Sequence, residues 1–256
     1  MLLYNAPSSY YSMVARLALL EANISFENRR MDIHVAKEQL SSWYRALNPH
    51  MTVPTLVDGK NVFTDSRDIL RFARTKAGDT WADAESVHQP NIAKIVDAFY
   101  EIPIEDLTFG KAMIKFPFLR FVFPKILGGI VKKLRAQLSA CPDPDAVREK
   151  IALNEKRIAY FTQGNLLDKL NAERHRISDF LCILPDPSPN LFGDKTSSAD
   201  VVCCVLLGRL RMAGEYGLMK SFPSLDAWFS RVEGTDNFLK ADIWTKFMLS
   251  RVLLRH

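Results

Sequence analysis

The sequence is short of the residues that carry metal and redox chemistry. Its 256 residues include four cysteines (Cys141, Cys182, Cys203 and Cys204) and five histidines. No two cysteines stand at CxxC or zinc-ligand spacing and no HExxH pair occurs, so no metal site is expected. Such unpatterned cysteine suits a reducing compartment. No N-terminal stretch joins a basic region to an apolar core and a small-residue cleavage site, which predicts a cytoplasmic chain. Internal repeats and low-complexity tracts are absent. A strong excess of one charge is also missing: the net charge is +5 and the pI near 9.0. That balance favours anionic ligands or an acidic membrane surface, and it lacks the clustered basicity of a nucleic-acid binder.

A long uncharged hydrophobic run is missing too. Residues 113–131 (MIKFPFLRFVFPKILGGIV) are strongly apolar, but Lys115, Arg120, Lys125, Pro117, Pro124 and Gly128-Gly129 interrupt them. A spanning helix needs about 20 mostly uncharged residues. The segment is therefore expected to form a helix–loop–helix packed on its own domain or on a second subunit. Weak membrane-surface contact through residues 111–135 is the alternative.

What is present reads as two domains. Residues 2–4 form an apolar strand ending in an Asn-Ala-Pro-Ser turn, and a helix follows from about residue 12, with Met13, Arg16, Leu17 and Leu20 at helical spacing. Residues 25–30 read as a strand and 36–47 as a helix. Residues 52–57 and 61–64 flank Asp58-Gly59-Lys60 as a hairpin, and 65–74 as a third helix. Beyond residue 85 helical patterns dominate, at 87–101, 145–160, 163–184, 198–216, 222–233 and 237–252. The expected architecture is a small α+β domain (residues 1–78), a linker at 79–85 and an all-helical domain (86–256).

Particular residues narrow this. Val53-Pro54 interrupts a strand pattern, and proline there removes a ladder donor. A cis peptide would turn the chain and leave the Val53 backbone free to pair elsewhere. Asn48-Pro49 after a helix, then Val53-Pro54-Thr55-Leu56, a hairpin, and Asp65-Ser66 opening a helix resemble the glutathione-binding, thioredoxin-like half of glutathione transferases. The resemblance implies a cis Val53–Pro54 bond, a Val53 backbone that pairs with the cysteinyl part of glutathione, and an Asp65-Ser66 pair that holds its γ-glutamyl end. The helix N-terminus at Ser66 favours an anion in any case. In the helical half, Phe192-Gly193-Asp194 and Ser197-Ser198-Ala199-Asp200 resemble the family's N-cap box before a core helix. Phe222-Pro223-Ser224-Leu225 with Trp228 and Arg231-Val232 matches the helix that follows it there. Cys203 and Cys204 read as packed small apolar groups.

Family catalysis needs a donor at the first helix N-terminus to hold the glutathione thiol as thiolate. Counting back from Arg16-Leu17-Ala18 places Ser9 at the catalytic serine of zeta- and theta-type enzymes, with Tyr10 or Ser12 as substitutes. The start Leu3-Tyr4-Asn5 and the Ser9-x-x-Ser12-Met13-x-x-Arg16-Leu17-Ala18 pattern are similar to the glutathione-dependent tetrachlorohydroquinone reductive dehalogenases. Those place a resolving cysteine where Tyr11 stands here, and a phenol cannot exchange with a disulfide. The resemblance therefore implies glutathione as cosubstrate. It also implies addition or substitution of its thiolate on a small apolar aromatic or unsaturated electrophile, in a homodimer. A glutathione-dependent isomerase or dehalogenase-like enzyme is the alternative; Lys37, Arg67 and Arg16 are its candidate cations. Tyr100, Phe109, Phe116 and Phe118 are candidates for an apolar lining of the electrophile pocket. A non-catalytic carrier or membrane-associated module, similar to the ganglioside-induced differentiation-associated group, is motivated by residues 111–135 and the basic end at Lys246, Arg251 and Arg255.

Overall fold

The computed structural model describes residues 1–138 and 143–248. Cys141, Arg251, Arg255 and the end of the helix expected at 237–252 lie outside the described residues.

The first part alternates β1 (Leu2–Asn5), α1 (Tyr10–Glu21), β2 (Glu27–Arg30), α2 (Ser42–Leu47), β3 (Thr55–Asp58), β4 (Asn61–Phe63) and α3 (Ser66–Ala77). The sheet order is β2-β1-β3-β4, with β1 parallel to β2 and antiparallel to β3. Leu3 stands opposite Leu56 in that register, and both are fully buried beneath α1 and α3. The β3–β4 hairpin turns at Gly59, whose φ of 60° is a conformation that only glycine adopts freely. This is a thioredoxin-like α+β layer, and the remainder is helical, as the sequence leads one to expect.

That remainder contains α4 (Gln89–Tyr100), α5 (Ile104–Lys115), α6 (Leu119–Gln137), α7 (Pro144–Thr162), α8 (Leu166–Cys182), α9 (Ser198–Ala213), α10 (Pro223–Val232) and α11 (Asp236–Lys240). α9 is the spine. Every residue from Ser198 to Leu210 is buried, including Cys203 and Cys204, because α1, α3, α4 and α5 all contact it. Its start is the expected reciprocal capping box of Ser197 and Asp200. The Asp200 carboxylate also accepts the Leu191 N–H at 2.9 Å. Burial pushes that carboxyl up to about 6. Two further bonds tie the linker to this spot: Ser198 N–H to Asp83 Oδ2 at 2.8 Å and Ala82 N–H to Thr196 O at 2.9 Å.

Two expectations are corrected. The helix expected over 36–47 is broken into a 3₁₀ turn at Glu38–Leu40 and the short α2. The Asp32 carboxylate accepts the N–H groups of His34, Val35 and Ala36, which offers this stretch a turn in place of a helix. Chain after α11 is not helical through residue 248; Ala241, Ile243 and Trp244 pack into the core as an irregular segment instead. The apolar segment forms the expected helix–loop–helix, α5 and α6 broken at 116–118. The α6–α7 hairpin reaches back over the first part of the chain. Val131 and Leu134 of α6 and Val147 and Ile151 of α7 form a small separate core with Leu40 and Met51.

Candidate active site

The site is assembled where helix N-termini and one loop of the thioredoxin-like part face the helical part. Ser9 caps α1: its Oγ accepts the Ser12 N–H at 3.3 Å. A hydroxyl that accepts through a lone pair keeps its own proton to donate, and Ser9 is only half-buried. The other two hydroxyl candidates are turned away. Ser12 is fully buried and its Oγ accepts the Ala6 N–H at 3.3 Å, stiffening the loop. Tyr10 is buried, stacked on Phe99 at 5.2 Å, with no hydrogen-bond partner for its hydroxyl among the described residues. Burial holds that phenol well above its ordinary range.

The Val53–Pro54 peptide is cis, as expected. Among the described residues the Val53 backbone N–H and C=O have no hydrogen-bond partner. Asp65 caps α3 by accepting the Arg67 N–H at 2.7 Å, and the carboxylate is exposed. Ser66 opens the helix beneath it, buried, its Oγ 3.0 Å from the Tyr100 hydroxyl. Asn48 organises both features. Its buried amide donates to Thr52 O at 3.0 Å, to Thr55 Oγ1 at 2.9 Å and to Thr64 O at 3.3 Å, spanning the loops before Val53 and before Asp65. The sequence reading used Asn48 only as part of a helix end; its amide geometry has no one-dimensional signature.

Tyr100 was expected as pocket lining and has a more central place. Its ring lies parallel to Tyr11 at 5.9 Å, and the Arg67 guanidinium sits 4.5 Å above it. Arg67 in turn pairs with Asp97 at 3.0 Å. Burial pushes the Tyr11 phenol up to about 12 and the Tyr100 phenol further still. Both therefore stay protonated at neutral pH, as donors and apolar faces rather than bases. The remaining lining candidates lie elsewhere. Phe109 is half-buried and packs on Phe123 at 4.7 Å, and Phe116 and Phe118 are exposed.

Of the candidate cations, Arg16 is a buried strut. Its guanidinium donates to Asn5 Oδ1 at 2.7 Å, Ala6 O at 3.3 Å, Pro7 O at 3.3 Å and Ala241 O at 2.6 Å, binding the loop before Ser9 to the C-terminal segment. Lys37 sits in the 32–37 loop with a φ of 52°, its Nζ 3.4 Å from His34 O. That loop is tied to the α1 entry by Ser8 Oγ and His34 Nε2 at 2.8 Å. The helical side of this cleft carries charged groups that sequence reasoning did not single out. Glu105 of α5 pairs with Arg157 of α7 at 2.6 Å, and buried Arg209 of α9 donates to Ser8 O at 3.0 Å. No group of three or more His, Cys, Asp or Glu residues placed to hold a metal occurs among the described residues.

Comparison with known proteins agrees with this geometry. Residues 3–81 match the family model of the glutathione S-transferase N-terminal domain. Among characterised relatives, the tetrachloro-p-hydroquinone reductive dehalogenase of Sphingobium chlorophenolicum is 26% identical over 260 residues, covering 94% of this chain and 95% of that protein. Glutathione S-transferase D6 of Drosophila melanogaster is 24% identical, covering 90% and 86%. Among solved structures, human glutathione-S-transferase T1-1 in its apo form superposes with a TM-score of 0.61 at 22% identity, covering 94% of this chain and 87% of that one. At that identity the likeness is one of fold.

Proposed function

We propose that this chain, whose residues 3–81 match the glutathione S-transferase N-terminal domain, is a member of the glutathione transferase superfamily and an enzyme that transfers the glutathione thiolate to an aromatic or unsaturated electrophile. Ser9 carries the reading: it is a half-exposed hydroxyl whose lone pair is taken by its own helix, leaving its proton for a sulfur anion. An ordinary thiol has a pKa of about 8.5, and each unit of depression corresponds to about 1.4 kcal/mol. A hydroxyl donor and the α1 N-terminus both favour the anion. The unpaired Val53 backbone holds the cysteinyl part in register. The exposed Asp65 meets the γ-glutamyl ammonium, while the α3 N-terminus at Ser66 meets the α-carboxylate; Lys37 is a secondary contact for the glycyl end. The sulfur then forms a C–S bond. In substitution a halide leaves with the bonding pair, and in addition the adjacent carbon takes a proton. Isomerase and dehalogenase-like chemistry use the same thiolate. A soluble cytoplasmic homodimer is the assembly the family likeness favours.

Incubation of the protein with glutathione and an activated aryl chloride tests the reading. The thioether and chloride should appear together at a rate proportional to enzyme, and Ser9→Ala should slow both. Thioether formation at the uncatalysed rate would reject it.

A second reading has its own observation. Phe116, Phe118, Phe121, Val122 and Ile126 are exposed, Phe121 by 73%, at the α5–α6 corner. Residues 115–135 hold six Lys or Arg and no Asp or Glu. Exposed rings amid cations suit an anionic membrane surface, although no helix among the described residues is long and apolar enough to cross one. Salt-sensitive co-sedimentation with phosphatidylserine vesicles, lost in Phe118→Ser/Phe121→Ser, would support it. Sedimentation as a dimer that dissociates in that same variant would reassign the patch to a subunit interface.

A further inference from the structure

The junction between Ser8 and the α6–α7 hairpin contains more cation than its own carboxylates neutralise. Lys150 stands seven residues before Arg157, two turns along α7, so both lie on one face of that helix. Val147 and Ile151 of the same face pack against Leu40 and Met51, which holds Lys150 over the first part of the chain. Arg157 engages Glu105 at 2.6 Å and reaches Asp106 only at 3.9 Å. From the other side Arg209 enters on α9. It is only 7% exposed, it donates one bond to Ser8 O, and its Nε has no partner. Neither Lys150 nor Arg209 has a carboxylate within 4.0 Å among the described residues. Burial and the neighbouring guanidinium of Arg157 draw the Lys150 ammonium down to about 8, and burial likewise lowers Arg209. Burying an unpaired cation is costly, and a ligand anion placed beside it offsets that cost.

We propose that this junction is an anion-recognition site for the second substrate, which is an aromatic compound bearing a carboxylate or similarly acidic group. The parallel rings of Tyr11 and Tyr100 receive the aromatic face, and Arg209 meets the anion beside the reacting sulfur. Lys150 and Arg157, set against Glu105, keep the surrounding potential positive. The inference rests on the glutathione-transferase reading for its reaction, but its binding claim stands separately. It adds an acidic group to the apolar aromatic or unsaturated electrophile expected from the sequence.

Calorimetric titration of 3,5-dinitrobenzoate, an unreactive aromatic carboxylate, and of its methyl ester into the intact protein tests the proposal, with glutathione titrated in parallel. The acid is expected to bind at least tenfold more tightly than the ester. That ratio should collapse towards one in Arg209→Met, return in Arg209→Lys, and fall severalfold in Lys150→Met. Thermal melting of each variant verifies folding, and Lys150→Met, at a half-buried position, carries the test if Arg209→Met fails to fold. Equal affinity for acid and ester, or a ratio that survives both substitutions, overturns the inference. Glutathione binding without acid preference sinks only this inference. Acid preference without glutathione binding sinks the proposed function and leaves the anion site standing.

Discussion

Two polar junctions join the halves of this molecule, and they are finished to different degrees. At one, Arg16 spends its guanidinium on Asn5, Ala6, Pro7 and Ala241. At the other, Arg209 leaves its Nε unmatched. Buried polar groups are normally paired, since an unmet one costs about 1–3 kcal/mol. The first junction is what a structural joint requires. The second is what a site looks like when part of its hydrogen bonding is reserved for a ligand.

Breaking the finished junction should have the largest effect on stability. Arg16→Met strips the donor from several buried carbonyls at once and should cost about 3 kcal/mol, read as a lower denaturant midpoint with an unchanged slope. An unaltered midpoint would mean that the loop before Ser9 is held by other contacts. Ser9→Ala sharpens the contrast from the other side. It should lower turnover at neutral pH on the order of 10²-fold, as removal of one charge-stabilising donor does, while loss of the cap costs only about 1 kcal/mol of stability. Comparable losses in both readouts would make Ser9 a cap and nothing more. Gly208→Ala should fall between these in stability. A Cβ there would meet Ile243 Cγ2 at 2.8 Å, so the Ile243 side chain or the segment that carries it must shift, at about 1–2 kcal/mol.

The smallest expected effect is a pH signature at the unfinished junction. Lys150 is held at about 8 against an ordinary 10.5, facing Arg157 on its own helix and Glu105 from α5. A lysine with a depressed folded pKa carries its full burial cost below about pH 8, and that cost vanishes as pH rises towards 10.5. Lys150→Met should therefore gain stability relative to the wild type at pH 7, and the gain should shrink by pH 10. In the wild type, preference for an aromatic acid should weaken as pH rises above about 8 and the ammonium is lost. A pH-independent difference between the two proteins would remove Lys150 from the account.

The thioredoxin-like half and the α9 start were legible because their signals are local. A hairpin at Asp58-Gly59, a capping box at Ser197 and Asp200, and a proline inside a strand pattern each specify geometry within a few residues. The helix expected over 36–47 failed for a related reason: Asp32 lies outside that window yet takes three of the N–H groups that lead into it. The helical side of the candidate site was the least legible. Phe109, Phe116 and Phe118 read as lining by apolarity alone, whereas Phe109 is half-buried against Phe123 and the other two are surface. The residues that do converge come from α1, α5, α7 and α9, and no spacing along the chain relates Ser8 to Arg209 or Glu105 to Arg157.

The central claim is that Ser9 holds a glutathione thiolate at the α1 N-terminus. Calorimetric titration of glutathione into the wild type and Ser9→Ala, with thiolate absorbance followed across pH, tests it most directly. Binding to both proteins, with the thiol titrating well below its free value only in the wild type, is the predicted result. Absence of glutathione binding to the wild type, or an equal thiolate signal in both, would contradict it.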